Sequence, residues 1–220
     1  MAQIFHRGAN NIAKASIAVA VVLAAVAGYA YTQIARSSYL TNRYLERQQP
    51  VQFSHKHHVG DDGIDCRYCH AGVEKSGTSS VPAAQTCMNC HSTIKTQSPL
   101  LEVVRQSYQT GDPVPWVKIH AVPDYVYFNH SVHVNRGVSC VECHGKVNEM
   151  KVVHQDQPHS MSWCLDCHRN PAARIRLPED VYNLDSKRVI DQGPDGAKNA
   201  QALVDHWKLM PPTSCSGCHR

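Results

Sequence analysis

Phe128-Asn-His130-Ser-Val-His133, followed by Cys140-Val-Glu-Cys143-His144 and Cys164-Leu-Asp-Cys167-His168, is the stretch that decides how this chain folds. Two thiols three positions apart can each add to one vinyl group of a haem. The imidazole beside the second thiol then sits under the iron as its proximal ligand. The same Cys-x-x-Cys-His pattern stands at Cys66-Arg-Tyr-Cys69-His70, Cys87-Met-Asn-Cys90-His91 and Cys215-Ser-Gly-Cys218-His219, so the motifs use all 10 cysteines.

Zinc knuckles and a disulfide framework share this cysteine spacing. Neither makes a demand on the residue after the second cysteine. Here that residue is His in every motif, and with 15 His among 220 residues the coincidence is on the order of one in a million. The motifs therefore predict five covalently bound c-type haems, with His70, His91, His144, His168 and His219 as proximal ligands.

Working outward, an offset of about 75 residues lines the chain up with itself. Phe53-Ser-His55-x-x-His58, then Cys66 and Cys87, matches Phe128-Asn-His130-x-x-His133, then Cys140 and Cys164. The chain thus reads as two dihaem units plus a fifth haem. Each unit brings a His-x-x-His pair, and positions three apart can serve two irons. His55 and His130 are expected to ligate the first haem of their own unit, with His58 and His133 reaching to neighbouring haems, as in the small class III multihaem cytochromes that this pairing resembles. The fifth distal ligand is open among Met161, His120, His154, His159, His206, Met150 and Met210. Met161 and His120 lead, and a thioether there would raise the potential of that haem. His57, His154 and His159 read as solvated or propionate-facing, and His6 lies across the N-terminal apolar run from the haems.

The composition agrees. Three Phe and three Trp are few for a side-chain core, so large apolar macrocycles are expected to fill the interior of a mostly irregular fold with short α-helices. The formal charge of +4 is met by propionates, about −10 for five haems, partly offset by roughly +1 per oxidised haem core, so the holoprotein is expected near neutrality or slightly below, which argues against a nucleic-acid footprint.

Residues 15–35 contain no charged side chain, and at about 1.5 Å per residue they span a hydrocarbon core of roughly 30 Å. A cleaved signal peptide is the competing reading, with Ala25-Val26-Ala27 as a small-residue processing site. The run is longer than a typical signal core, and a retained transmembrane helix is expected. Covalent haem attachment takes place outside the cytoplasmic membrane, so the haem domain is expected on the periplasmic side of a single-pass inner-membrane protein. The expected organisation is residues 1–14 cytoplasmic, 15–35 anchor, 36–50 linker, 51–100 first dihaem unit, 101–127 connector, 128–170 second dihaem unit and 171–220 fifth-haem segment.

Ser98-Pro99 through Thr110-Gly111 reads as a capped helix with a glycine stop, and Ala197 to Leu209 as another. Residues 113–116 and 169–196 read as loops. The best strand candidate is Tyr125 to Phe128.

At the level of whole segments, the chain resembles the pentahaem cytochrome subunit of alternative complex III, a bacterial quinol-oxidising respiratory complex. The resemblance is carried by the single N-terminal span, Phe53-Ser-His-Lys-His-His58, Trp116-Val-Lys-Ile-His120, Pro123 to His133, Ser160 to Arg169 and Pro212 to Arg220. It implies an electron-transfer subunit, not an enzyme on its own. It further implies an iron–sulfur subunit, polytopic quinol-binding membrane subunits and other cytochrome c subunits as partners. Two alternatives compete. A freestanding membrane-anchored quinol dehydrogenase would place its haems close after the anchor, whereas residues 36–51 space them off. A nitrite- or hydroxylamine-reducing enzyme needs an open haem iron, and here distal candidates exceed the sites to be filled.

Overall fold

The computed structural model describes residues 4–219, which fall into two units that divide between Arg43 and Tyr44. The first unit is dominated by α1 (Ala9–Arg36), a 28-residue helix none of whose residues is buried, followed by α2 (Ser38–Thr41). At about 1.5 Å rise per residue α1 is roughly 42 Å long, and its mean hydropathy of 2.0 qualifies it as a candidate membrane span or signal sequence. It outruns the expected 15–35 at its N-terminal end.

The second unit is built from short helices joined by turns. They are a π-helical turn (Lys56–Asp61), α3 (Cys66–Cys69), α4 (Ala84–His91), α5 (Glu102–Thr110), α6 (His130–Val134), α7 (Cys140–His144), α8 (Met161–Arg169), α9 (Gly196–His206) and α10 (Cys215–Cys218). Five of them, α3, α4, α7, α8 and α10, are the Cys-x-x-Cys-His segments themselves. Local capping explains where several start. The Asp65 carboxylate accepts from the Arg67 N–H at 2.8 Å, the Asn129 side chain from the Ser131 N–H at 2.9 Å, and the Ser160 hydroxyl from the Trp163 N–H at 3.4 Å. Each satisfies a donor that the first helical turn leaves free.

Expected boundaries shift in three places. The helix after Ser98 opens as a 3-10 turn (Pro99–Leu101), and Ser98 gives its carbonyl to Arg105 instead of capping with its hydroxyl. Gly111 stops that helix at φ +81°, where a Cβ would be strained. The C-terminal helix runs Gly196–His206 in place of 197–209. Tyr125 to Phe128 forms only an isolated bridge, Val126 to His219, and there is no strand among the described residues.

Eleven apolar side chains are buried among the described residues, none larger than Ile or Leu. One cluster joins Ala172, Ile175, Val189, Ala200 and Val204, with Trp207 and Leu203 packed on it, and seats α9 over the turns Pro171–Ala173 and Val189–Asp191. The second joins Val73, Val134 and Val181 across the two repeats. At roughly 1.5–3 kcal/mol per fully buried aliphatic side chain, so small a core leaves much of the fold to be organised by something else.

Candidate haem-binding sites

Each proximal histidine follows its cysteine pair on a helix of one or two turns, and three of the five rings are aimed by backbone carbonyls. Nδ1 of His70 bonds the Ser80 carbonyl at 2.8 Å, that of His91 the Ile94 carbonyl at 3.1 Å, and that of His168 the Pro212 carbonyl at 2.7 Å. Three of the distal candidates follow the same rule. His58 uses Nδ1 on the Ser54 carbonyl at 2.9 Å, His130 on that of Gly77 at 3.0 Å and His133 on that of Asn129 at 2.7 Å. An Nδ1–H held by a carbonyl leaves the Nε2 lone pair for a metal and fixes the ring's orientation.

The rings then face one another. His58 and His91 have centroids 6.2 Å apart, His130 and His144 6.3 Å with planes within 5°, and His133 and His168 6.2 Å. Two metal–nitrogen bonds of about 2.0 Å, plus about 1.2 Å from each Nε2 to its ring centre, require roughly 6.4 Å. The three pairs fit an iron held from both sides.

His55 is depressed to about 4, first by burial and then by the charges of His70 and His58. Its buried Nδ1 has no partner. His133 and His144 are also lowered by burial. Each of these rings is held neutral, the form in which an imidazole ligates metal.

His120 and Met161 differ. His120 is depressed to about 4 by burial and by the charges of His159 and His154, and its Nε2 is buried without a partner. Met161 is 66% exposed at the start of α8. His159 lies 6.3 Å from His144 at 81°, but its Nε2 is engaged with the Cys143 carbonyl at 3.1 Å. His57 is exposed beside Asp61 and Asp62, whereas His154 has a buried, unpartnered Nδ1 and packs edge-on against Tyr44. The nearest aromatic neighbour of the His219 ring is Tyr125, at 5.6 Å.

Two kinds of positioning residue escaped the motif reading. Phe53 stacks on His58 at 4.3 Å and meets His55 edge-on at 4.8 Å. Phe128 repeats this with His133 at 4.9 Å and His130 at 4.7 Å. The Phe-x-His-x-x-His spacing was the available signal.

The other kind lies in the variable position before the second cysteine. In the first repeat the Tyr68 hydroxyl accepts from Asn89 at 3.0 Å, tying α3 to α4. In the second, Arg174 reaches Glu142 at 3.4 Å and Asp166 at 3.2 Å, tying α7 to α8. Glu142 also accepts from Arg176 at 2.6 Å and from Arg188 at 2.8 and 2.9 Å. Burial alone would raise its carboxyl, but these hydrogen bonds outweigh burial and hold it below the usual range. Nothing local in the sequence announces partners 32 to 46 residues away.

The segments connect in one order. Motif two meets motif one through Asn89 and Tyr68. Motif one meets the second repeat through Gly77 and His130 and through the Asn135 side chain, which donates to the Glu74 carbonyl at 2.9 Å. Motif three meets motif four through Arg174, and motif four meets the approach to motif five through His168 and Pro212. All ten thiols are free of disulfides, and no three His, Cys, Asp or Glu side chains converge into a metal cage among the described residues.

Short attachment helices, carbonyl-aimed imidazoles and a meagre aliphatic core together define a multihaem c-type cytochrome, an electron-transport protein. Residues 51–109 and 126–220 match the family described as cytochrome c7 and related cytochrome c, and the chain belongs to that family. It is also similar to the multiheme cytochrome c subunit of menaquinone reductase from Nitratidesulfovibrio vulgaris (strain Hildenborough), at 32% identity over 141 residues, 64% of this chain. The chain spans about 60% of that relative's length.

Proposed function

We propose that this chain is the membrane-anchored, five-haem electron-relay subunit of a quinone-linked respiratory complex. The observation that carries the reading is the set of three imidazole pairs at 6.2 to 6.3 Å. His58 with His91, His130 with His144, and His133 with His168 would each hold one iron, with His55 opposite His70. That leaves the haem at His219 without an assigned distal ligand: the buried, unpartnered Nε2 of His120 belongs to a ring 4.3 Å from His144, and Met161 is exposed.

Haem, when bound, supplies a ferric/ferrous couple that carries one electron. The chain's own residues do the rest. Backbone carbonyls orient the rings, burial keeps them neutral, and Phe53 and Phe128 set the angle between paired ligands. With both axial positions of four haems assigned within the chain, those four irons offer no open site to a small-molecule substrate, which favours relay over catalysis.

We place α1 in the inner membrane and residues 44–219 on the periplasmic side, where covalent haem attachment occurs. Residues 51–100 and 128–170 are assigned as the two dihaem units. The relative's name makes it a cytochrome subunit of an enzyme that reduces menaquinone, which supports quinone-handling partner subunits here. Within that class we assign the chain to a complex of the alternative complex III type, with an iron–sulfur subunit, polytopic quinol-binding subunits and further cytochromes c. Every cysteine stands in a haem motif, so cluster and quinone chemistry would belong to those partners. Mild-detergent purification of the native protein should recover it with iron–sulfur and polytopic subunits. Recovery of this chain alone, oxidising quinol unaided, would contradict the assignment and favour a freestanding dehydrogenase.

A further inference from the structure

Charge is distributed unevenly between the two repeats. At the junction of α7 and α8, three guanidiniums, Arg174, Arg176 and Arg188, form direct ion pairs with two carboxylates, Glu142 and Asp166, a surplus of one positive charge among the paired groups, with the exposed Asp191 acting on Arg188 from further off. The centre of this cluster is dry, with the Glu142 and Arg176 side chains 5% and 6% exposed. Around α3, Arg67 faces Asp65 and Glu74, a surplus of one negative charge, and all three side chains are about half exposed to solvent. The buried Glu142–Arg176 pair is neutral in sum, and the surplus rests on Arg174 and Arg188, whose side chains, 32% and 34% exposed, are screened less than the half-exposed groups around α3. The dry cluster is built into the attachment segments themselves, because Glu142 lies between Cys140 and Cys143 and Asp166 between Cys164 and Cys167.

We infer that the Arg174–Arg176–Arg188 cluster raises the reduction potentials of the haems attached at Cys140/Cys143 and Cys164/Cys167 above those of the first repeat, making the second repeat the electron-accepting half of the relay. An oxidised haem core carries one more positive charge than a reduced one. Positive surroundings therefore favour reduction, and net charge is among the factors that set the potential of a protein-bound iron centre. The inference rests on the haem-relay reading and adds a direction to it, from the first repeat towards the second.

The test is a spectroelectrochemical titration of the detergent-solubilised full chain, native and in variants, with haem content measured first by pyridine haemochrome. Arg188→Gln removes one positive charge and should move two of the redox steps to lower potential. Asp166→Asn removes an exposed negative charge and should move the same steps higher, by a smaller amount. Arg67→Gln, in the exposed cluster, should move the titration least. Fully loaded Arg188→Gln and Asp166→Asn proteins whose titrations superimpose on the native curve would overturn the inference. So would a larger shift from Arg67→Gln than from Arg188→Gln. If Arg188→Gln does not load haem, the sign and size of the Asp166→Asn shift decide. A native chain with too few haems would instead defeat the relay reading itself.

Discussion

Replacing His133 with Ala isolates one ligand without touching the attachment chemistry. The His133 and His168 ring centres stand 6.2 Å apart. Subtracting about 1.2 Å at each end leaves roughly 3.8 Å between the facing nitrogens, room for one iron and no more. Alanine would remove one of the two bonds, while Cys164, Cys167 and His168 stay in place to hold the haem. The variant also loses the bond to the Asn129 carbonyl and the stack on Phe128. Together these cost about 2 kcal/mol, equivalent to a fall of roughly 4–8 °C in melting temperature. That is too little to unfold a domain cross-linked by its haems. With five haems per chain, the expected outcome is loss of about one-fifth of the low-spin signal in electron paramagnetic resonance and binding of about one carbon monoxide per reduced chain. His133→Met should restore a six-coordinate haem at higher potential. A fully loaded His133→Ala protein with an unchanged low-spin spectrum and no carbon monoxide binding would refute the pairing with His168.

Phe128→Leu should keep all haems but broaden the low-spin signals of the second repeat, since the stack that fixes the His133 plane is lost; a native-like spectrum would remove Phe128 from the positioning role. Gly196→Ala places a Cβ 2.3 Å from the Ile190 carbonyl oxygen, and should destabilise by about 1–3 kcal/mol, seen as a lower midpoint in thermal circular dichroism. Asp65→Ala removes the α3 cap and should cost about 1 kcal/mol at neutral pH. Hydrogen bonds from Arg67 lower the Asp65 carboxyl below its ordinary value. The native advantage is therefore present above the ordinary carboxylate pKa and lost as pH falls through the lower folded value, so denaturant melts of the two proteins should converge in acid.

What was legible in the sequence follows from which interactions are local. Cysteine spacing, the adjacent histidine and the Phe-x-His-x-x-His repeat are each set within a few residues, so the proximal and distal candidates could be named at once. Helix α5 and its Gly111 stop were likewise written locally, while the start at Ser98 was not, because Arg105 draws the Ser98 carbonyl into a different role. The Tyr125 to Phe128 segment has strand-like residues, yet Val126 finds only His219 to pair with, and a strand needs a partner that no periodicity supplies. His154 and His159 read as solvated or propionate-facing because their partners, Tyr44 and the Cys143 carbonyl, come from distant segments. The arginine cluster on Glu142 was invisible for the same reason.

The central claim, a haem at every Cys-x-x-Cys-His motif, is tested most directly by mass spectrometry of the intact chain followed by peptide mapping. The account predicts five covalent haem additions, one on each of the peptides containing Cys66, Cys87, Cys140, Cys164 and Cys215. A motif peptide recovered from freshly isolated native protein with both thiols free would contradict it.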